Sequence, residues 1–152
     1  LDLMQQVIDL LAQNPENTIL LFGGGKKEIE VLEGFAEHKE NVLNMAGKIK
    51  FQQELKLMSH LDLMLSMDSG NAHLAAMLGV KVITLWGATH PYAGFLPFNQ
   101  SMENTLVADR TQFPKLPTSV YGNKIVEGYE NAMRTITPDK VVLKIEKLLM
   151  KS

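Results

Sequence analysis

The densest chemical signal in the sequence is Asp68-Ser69-Gly70-Asn71-Ala72-His73, directly after the apolar run Leu63-Met64-Leu65-Ser66-Met67. If the run is a strand and Gly70 opens a helix, the free N–H groups of the first helical turn form an anion site. The helix dipole strengthens it. Gly70 lets backbone approach a ligand with no Cβ in the way. His73 falls in the same turn and adds a donor to the same anion. A diphosphate fits such a cradle. Asp68 is itself an anion and does not suit a phosphate; it suits sugar hydroxyls, which donate hydrogen bonds to carboxylates. A plainer account stands beside this one: Asp68 or Ser69 caps the helix and His73 lies on the surface. The two accounts are compatible.

Three other junctions have the same form: Gly23-Gly24-Gly25, Met45-Ala46-Gly47-Lys48 and Gly87-Ala88-Thr89-His90-Pro91. The glycine triplet lacks the dinucleotide fingerprint and the Gly-Lys-Ser/Thr of a phosphate loop, so alone it marks a tight turn. Glu28 can reach a ribose from there, or face the dipole of its own helix. Thr89 and His90 lie in a candidate binding loop. His38 and His60 read as exposed helix-end residues, and the histidines have no metal-ligand spacing. No serine sits in a Gly-x-Ser-x-Gly elbow. The methionines, such as Met58, Met64, Met67 and Met77, read as core filling.

These junctions need strands and helices to hold them. Leu3, Val7, Leu10 and Leu11 repeat at helical spacing, and Asn14-Pro15 ends that helix. The apolar runs at 18–22, 41–45, 63–67 and 80–86 read as strands. Helical patterns lie between them: Ile29, Leu32, Phe35 and Ala36; Phe51, Leu55 and Met58; and the small-residue segment Ala72 to Leu78, which Gly79 stops. Strands alternating with helices mean βαβ units and a parallel sheet with helices on both faces. Beyond Gly87 the pattern loosens into long loops, with a further strand at 105–108. A last helix follows Thr137, which can cap it, with Pro138 at its first position and Val141, Ile145 and Leu148 on its buried stripe.

At 152 residues, 45% hydrophobic and 21% charged, the chain is one domain or one lobe of a larger enzyme. A net charge of −2, from 15 basic and 17 acidic residues, gives no footprint for nucleic acid. The absence of cysteine excludes disulfide scaffolds, thiolate zinc sites and cysteine nucleophiles. No apolar run approaches the roughly 18 residues of a membrane span. The opening at Leu1, within a helical pattern, reads as part of something longer.

The combination Asp68-Ser69-Gly70-Asn71-Ala72-His73-Leu74-Ala75-Ala76, then Leu78-Gly79-Val80, then Leu85-Trp86-Gly87-Ala88-Thr89-His90-Pro91, resembles the ADP-heptose:lipopolysaccharide heptosyltransferases, glycosyltransferase family 9. Their motif reads Asp-Ser/Thr-Gly-Pro-x-His-Leu-Ala-Ala, followed by Phe-Gly-Pro-Thr-x-Pro. Gly23-Gly24-Gly25 with Glu28, Met45-Ala46-Gly47-Lys48 and Ala132-Met133-Arg134-Thr135-Ile136-Thr137-Pro138 resemble three further segments of the family, in the right order.

The resemblance implies a Rossmann-like α/β fold, the C-terminal half of a GT-B glycosyltransferase, with residues 1–152 forming most of the lobe that holds the nucleotide-sugar donor. Ser69, Gly70 and His73 would then hold the diphosphate, with His73 stabilising the leaving group. Asp68 would bind heptose hydroxyls and Glu28 the ribose. Met45 and Gly47 would flank the adenine, and Thr89 and His90 would be further donor-site residues. The reaction implied is inverting and independent of metal or cofactor. The donor would be ADP-heptose or a related nucleotide sugar, the acceptor the lipopolysaccharide inner core held by another lobe. The place implied is the cytoplasm, at the inner face of a Gram-negative inner membrane, with peripheral membrane contact. This chain alone would be inactive.

The sequence departs from the family pattern at Asn71 and Ala88, where proline is usual, and at Ala132, where cysteine is usual. The acceptor lobe with its general-base aspartate is absent, as is the first strand of the donor lobe with its lysine. Losing a central strand should leave a gap between its neighbours. Two other readings remain open: a GT-B transferase or epimerase using a UDP-sugar, and a non-catalytic nucleotide-binding domain.

Overall fold

The computed structural model describes residues 1–124 and 126–150. It divides into two compact units, Leu1–Leu57 and Met58–Ser152.

The first unit holds α1 (Asp2–Ala12), β1 (Ile19–Leu21), α2 (Lys26–Ala36), β2 (Val42–Asn44) and most of α3 (Phe51–Met58). β1 and β2 pair in parallel, with Ile19 opposite Val42 and Leu21 opposite Asn44. The crossover is α2, as a parallel pair requires. Ile8 of α1, Leu21, Phe35 of α2 and Val42 form the core. Asn41 ties the end of α1 to the start of β2 by donating to the carbonyls of Ala12 and Asn14.

The second unit holds β3 (Met64–Met67), α4 (Gly70–Met77), β4 (Val82–Trp86), β5 (Thr105–Val107) and α5 (Pro138–Leu149). The order is β3-β4-β5, all parallel. β4 is the central strand and all five of its residues are buried. α4 packs on β3 and β4. It presents Ala72, Ala75 and Ala76, at 0%, 0% and 4% exposure; such small side chains let a helix lie close to the strands beneath it. Gly79 follows it at φ +83°, the left-handed stop that glycine adopts without a Cβ penalty. Short 3-10 turns at Pro91–Ala93, Met102–Asn104 and Ala132–Thr135 organise the long connections. The Gln100 side chain both accepts from Val82 N–H and donates to Val80 O, pairing the start of β4 as a neighbouring strand would.

The elements fall where the periodicity puts them, in an α/β architecture of parallel sheets flanked by helices. Three details differ. The strands form two separate sheets, and β1 and β3 each have one strand neighbour among the described residues. Strand residues are not all buried: Leu43 and Met67 are about half exposed, and both lie on strands that pair along one side only. Thr137 stands at the N-cap of α5 but makes no side-chain cap bond, so Pro138 and the first-turn Asp139 are left to define that end.

Candidate functional site

The site begins where β3 ends. Ser69 is the N-cap residue of α4, extended at φ −153° and ψ 167°, yet its hydroxyl makes no cap bond. It pairs instead with the Ser66 hydroxyl, 2.9 Å away. The Ser69 hydroxyl therefore leaves the first turn of α4 without a side-chain cap, while Ala72 N–H reaches the Ser69 carbonyl at 3.2 Å. The serine–serine pair explains why: β3 places Ser66, a buried polar residue, three positions back, where it captures the hydroxyl. A Cβ built on Gly70 would meet nothing within 4 Å, so packing does not demand glycine there. A helix start without a side-chain cap, and with room beside Gly70, suits an anion. Ser69 and Gly70 are exposed, and Asp68 and His73 are partly exposed.

β3 and β4 run side by side, with Met67 opposite Leu85. The segments leaving their carboxyl ends, Asp68–Gly70 and Gly87–His90, thus start on neighbouring strands. The second segment is held from several sides. Gly87 is buried, and a Cβ there would run into Met133 Sδ. Thr118 N–H donates to Ala88 O at 3.1 Å. Gly122, at φ +65°, lies so close that a Cβ on it would sit 2.7 Å from Thr89 Cγ2. Sequence reasoning named Thr89 and His90 but missed residues 118–122, whose only signal was the turn pair Tyr121-Gly122. The Ala132–Pro138 segment also acquires a role. Thr135 Oγ1 donates to Ala132 O and accepts Asp109 N–H at 2.8 Å, anchoring the turn that carries Met133.

His90 is used structurally. Only 7% exposed, it caps the 3-10 turn by accepting Tyr92 N–H on Nδ1 at 3.2 Å. Desolvation lowers its pKa below the ordinary histidine value, and the Arg110 charge lowers it further. At neutral pH its ring is uncharged. His60 pairs with the Ser59 hydroxyl, and His38 is exposed at φ +62°.

In the first unit, Glu28 is exposed and accepts Gly24 N–H at 2.8 Å. One carboxylate oxygen thus closes the glycine turn after β1. Gly47 stands at φ +70°, and a Cβ on it would lie 2.8 Å from Ile29 Cδ1. Met45 lines a cavity of about 680 Å³ with Glu33, Gly34, Leu43, Asn44 and Lys48. Asn44, 4% exposed, organises this wall. It donates to Glu33 at 2.6 Å and to Ile29 O, and accepts Ala46 N–H. The Asn44 amide, followed by the Lys48 charge, holds the Glu33 carboxyl below the usual carboxylate range. Glu28, Met45 and Gly47 thus belong to one unit, and Asp68, Ser69, Gly70, His73, Thr89 and His90 to the other. Among the described residues no three acidic or histidine side chains cluster so as to hold a metal ion.

The model of the family described as "Glycosyltransferase family 9 (heptosyltransferase)" matches residues 5–124. Lipooligosaccharide heptosyltransferase 2 of Haemophilus ducreyi is 30% identical over 137 residues, which is 86% of this chain and 38% of that relative. Lipopolysaccharide heptosyltransferase 3 of Escherichia coli K12 is 27% identical over 150 residues, 97% of this chain and 41% of that protein. Among solved structures, E. coli heptosyltransferase WaaC with ADP superimposes with a TM-score of 0.70 at 23% identity, covering 97% of this chain and 38% of its own. The same protein has been solved with ADP-2-deoxy-2-fluoro heptose, and it matches this chain with a TM-score of 0.68. The chain spans about two fifths of the length of these relatives. The match reaches from α1 to residue 124 and includes every strand-end junction described above. The chain belongs to glycosyltransferase family 9, the heptosyltransferases.

Proposed function

We propose that this chain is the donor-binding, C-terminal lobe of an inverting heptosyltransferase that moves heptose from ADP-heptose to the lipopolysaccharide inner core. The observation that carries the reading is the start of α4, with the Ser69 hydroxyl diverted to Ser66 and room where a Gly70 Cβ would lie. There the helix N–H groups and His73 would meet the diphosphate. As the sugar–oxygen bond breaks, negative charge grows on the departing ADP, and donors already aimed at it lower the barrier. Asp68 would take sugar hydroxyls, Glu28 would offer its second carboxylate oxygen to the ribose, and the Met45–Gly47 loop would flank the adenine. Thr89 would border the sugar, with His90 shaping its loop from behind. ADP and an ADP-heptose analogue in WaaC support a nucleotide-sugar ligand for this family.

The acceptor, and the base that deprotonates it, belong to a further lobe. No helix among the described residues is long and apolar enough to cross a membrane. The lobe would act in the cytoplasm, at the inner face of the membrane that carries the growing acceptor.

Calorimetry with ADP tests the site. The wild-type chain should bind ADP, and His73→Ala should bind it at least tenfold more weakly, since a lost hydrogen bond to a charged group contributes roughly 1.5–3 kcal/mol. Undiminished ADP binding in His73→Ala would refute the assignment.

A further inference from the structure

We propose that Phe95 and Tyr121 form an aromatic platform for a pyranose ring beside the carboxyl end of β4. The proposal rests on the donor-lobe reading and adds a sugar-contacting surface to it. The two rings meet at 5.9 Å between centroids, tilted by 47°. Tyr121 is 74% exposed, so its outer face is not used in the core. The backbone that carries the ring is nevertheless held in place. Gly122 N–H donates to Ser119 O, and the Ser119 hydroxyl both donates to Asn123 Oδ1 and accepts Asn123 N–H, closing a turn around Tyr121. That turn is pressed onto the strand end by Gly122 against Thr89 and by Thr118 N–H on Ala88 O. A Cβ at Gly122 would also meet Ala88 Cβ at 3.2 Å, so only glycine allows so close a seat.

A large aromatic face exposed to water on a braced turn costs little entropy to use in binding, because its two-angle side chain has little freedom to lose. Sugar rings offer C–H groups to such a face while their hydroxyls stay in water. The position singles out a sugar among apolar ligands, because the turn that carries Tyr121 abuts Thr89, next to the strand end from which Asp68 and α4 depart. Tyr92, 80% exposed, with its ring 4.9 Å from that of His90 and tilted by 43° to it, extends the aromatic character of the same loop.

The test uses the wild-type chain, Tyr121→Ala, Phe95→Ala and Tyr121→Phe. Binding of ADP, of ADP-mannose, and of methyl α-mannoside with ADP present is followed by calorimetry and saturation-transfer NMR. Tyr121→Ala and Phe95→Ala should leave ADP binding unchanged and weaken one sugar probe roughly two- to tenfold, the loss expected for one ring contact. Tyr121→Phe, which keeps the face, should bind like wild type. Loss with ADP-mannose assigns the platform to the donor sugar, and loss with the mannoside to the acceptor. Unchanged binding of both probes overturns the platform while leaving the donor lobe intact. Failure of the wild-type chain to bind ADP overturns the donor-lobe reading and the platform with it. Anionic phospholipid vesicles provide the remaining arm: if Tyr121→Ala abolishes vesicle binding and leaves both sugars unaffected, the aromatic loop is a membrane-contact surface and the proposal is wrong.

Discussion

Gly87→Ala should destabilise the second unit, but should cost little further once Met133 has been replaced by alanine. Gly87 is not among the positive-φ glycines, so alanine brings no backbone strain. It brings a methyl group into the place of the Met133 thioether, with Met133 Cγ also within 2.7 Å. Overpacking of this kind costs about 1–3 kcal/mol. Met133 is only partly buried, so Met133→Ala alone should cost about 1–2 kcal/mol, toward or below the lower end of the range for a buried methionine. In the double variant the new methyl occupies part of the vacated space. It should be no worse than Met133→Ala by more than about 0.5 kcal/mol, giving a coupling energy of roughly 1–3 kcal/mol between the two positions. The assay is urea unfolding followed by the fluorescence of Trp86, the sole tryptophan, fully buried and adjacent to Gly87. Thermal midpoints should move about 2–4 °C per kcal/mol for a chain of this size. Additive losses in the double variant would show that Met133 does not define the space at Gly87. The reasoning about how the Thr89–His90 segment is held would then be wrong.

Other outcomes follow from single contacts. Asn44→Ala removes three hydrogen bonds and leaves the Ala46 N–H unpaired in a buried position, so it should lower stability by about 2–4 kcal/mol, read as a fall in the urea midpoint. Thr118→Val should be neutral or stabilising by up to about 1 kcal/mol, because the Thr118 hydroxyl is buried with no hydrogen-bond partner among the described residues; a clear drop in thermal midpoint would reveal a partner that the hydroxyl needs. His90 is held neutral by burial and by Arg110, so its folded pKa lies below its unfolded value. The unfolded chain then takes up the proton more readily, and stability present above about pH 6.5 should fall as the pH drops through that value toward the folded pKa. His90→Asn keeps an acceptor for Tyr92 N–H and removes the titration, so its thermal midpoint should vary less between pH 7.5 and 5 than that of wild type.

The sequence alone determined the order and type of the main elements, because apolar periodicity reports the face that a helix or strand must bury. It also located the junction at Asp68–His73, since a carboxylate, a small turn and a histidine directly after a buried run have few uses other than a helix-start site. Nearly all of the family's motifs lie in such local segments, which is why they are legible without coordinates. What the tertiary structure decided are facts about pairs distant in the chain or competing within it. Ser69 has two partners on offer, its own helix and Ser66, and only the position of β3 decides between them. Similarly, the glycine at 87 reads as a turn but is required by Met133, forty-six positions on, and the one at 122 by Thr89. His90 reads as a ligand candidate, and the fold buries it as a cap. Local pattern fixes which surface each element buries; contact across the chain fixes which polar group each donor finds, and that choice settles which groups stay free to meet a ligand.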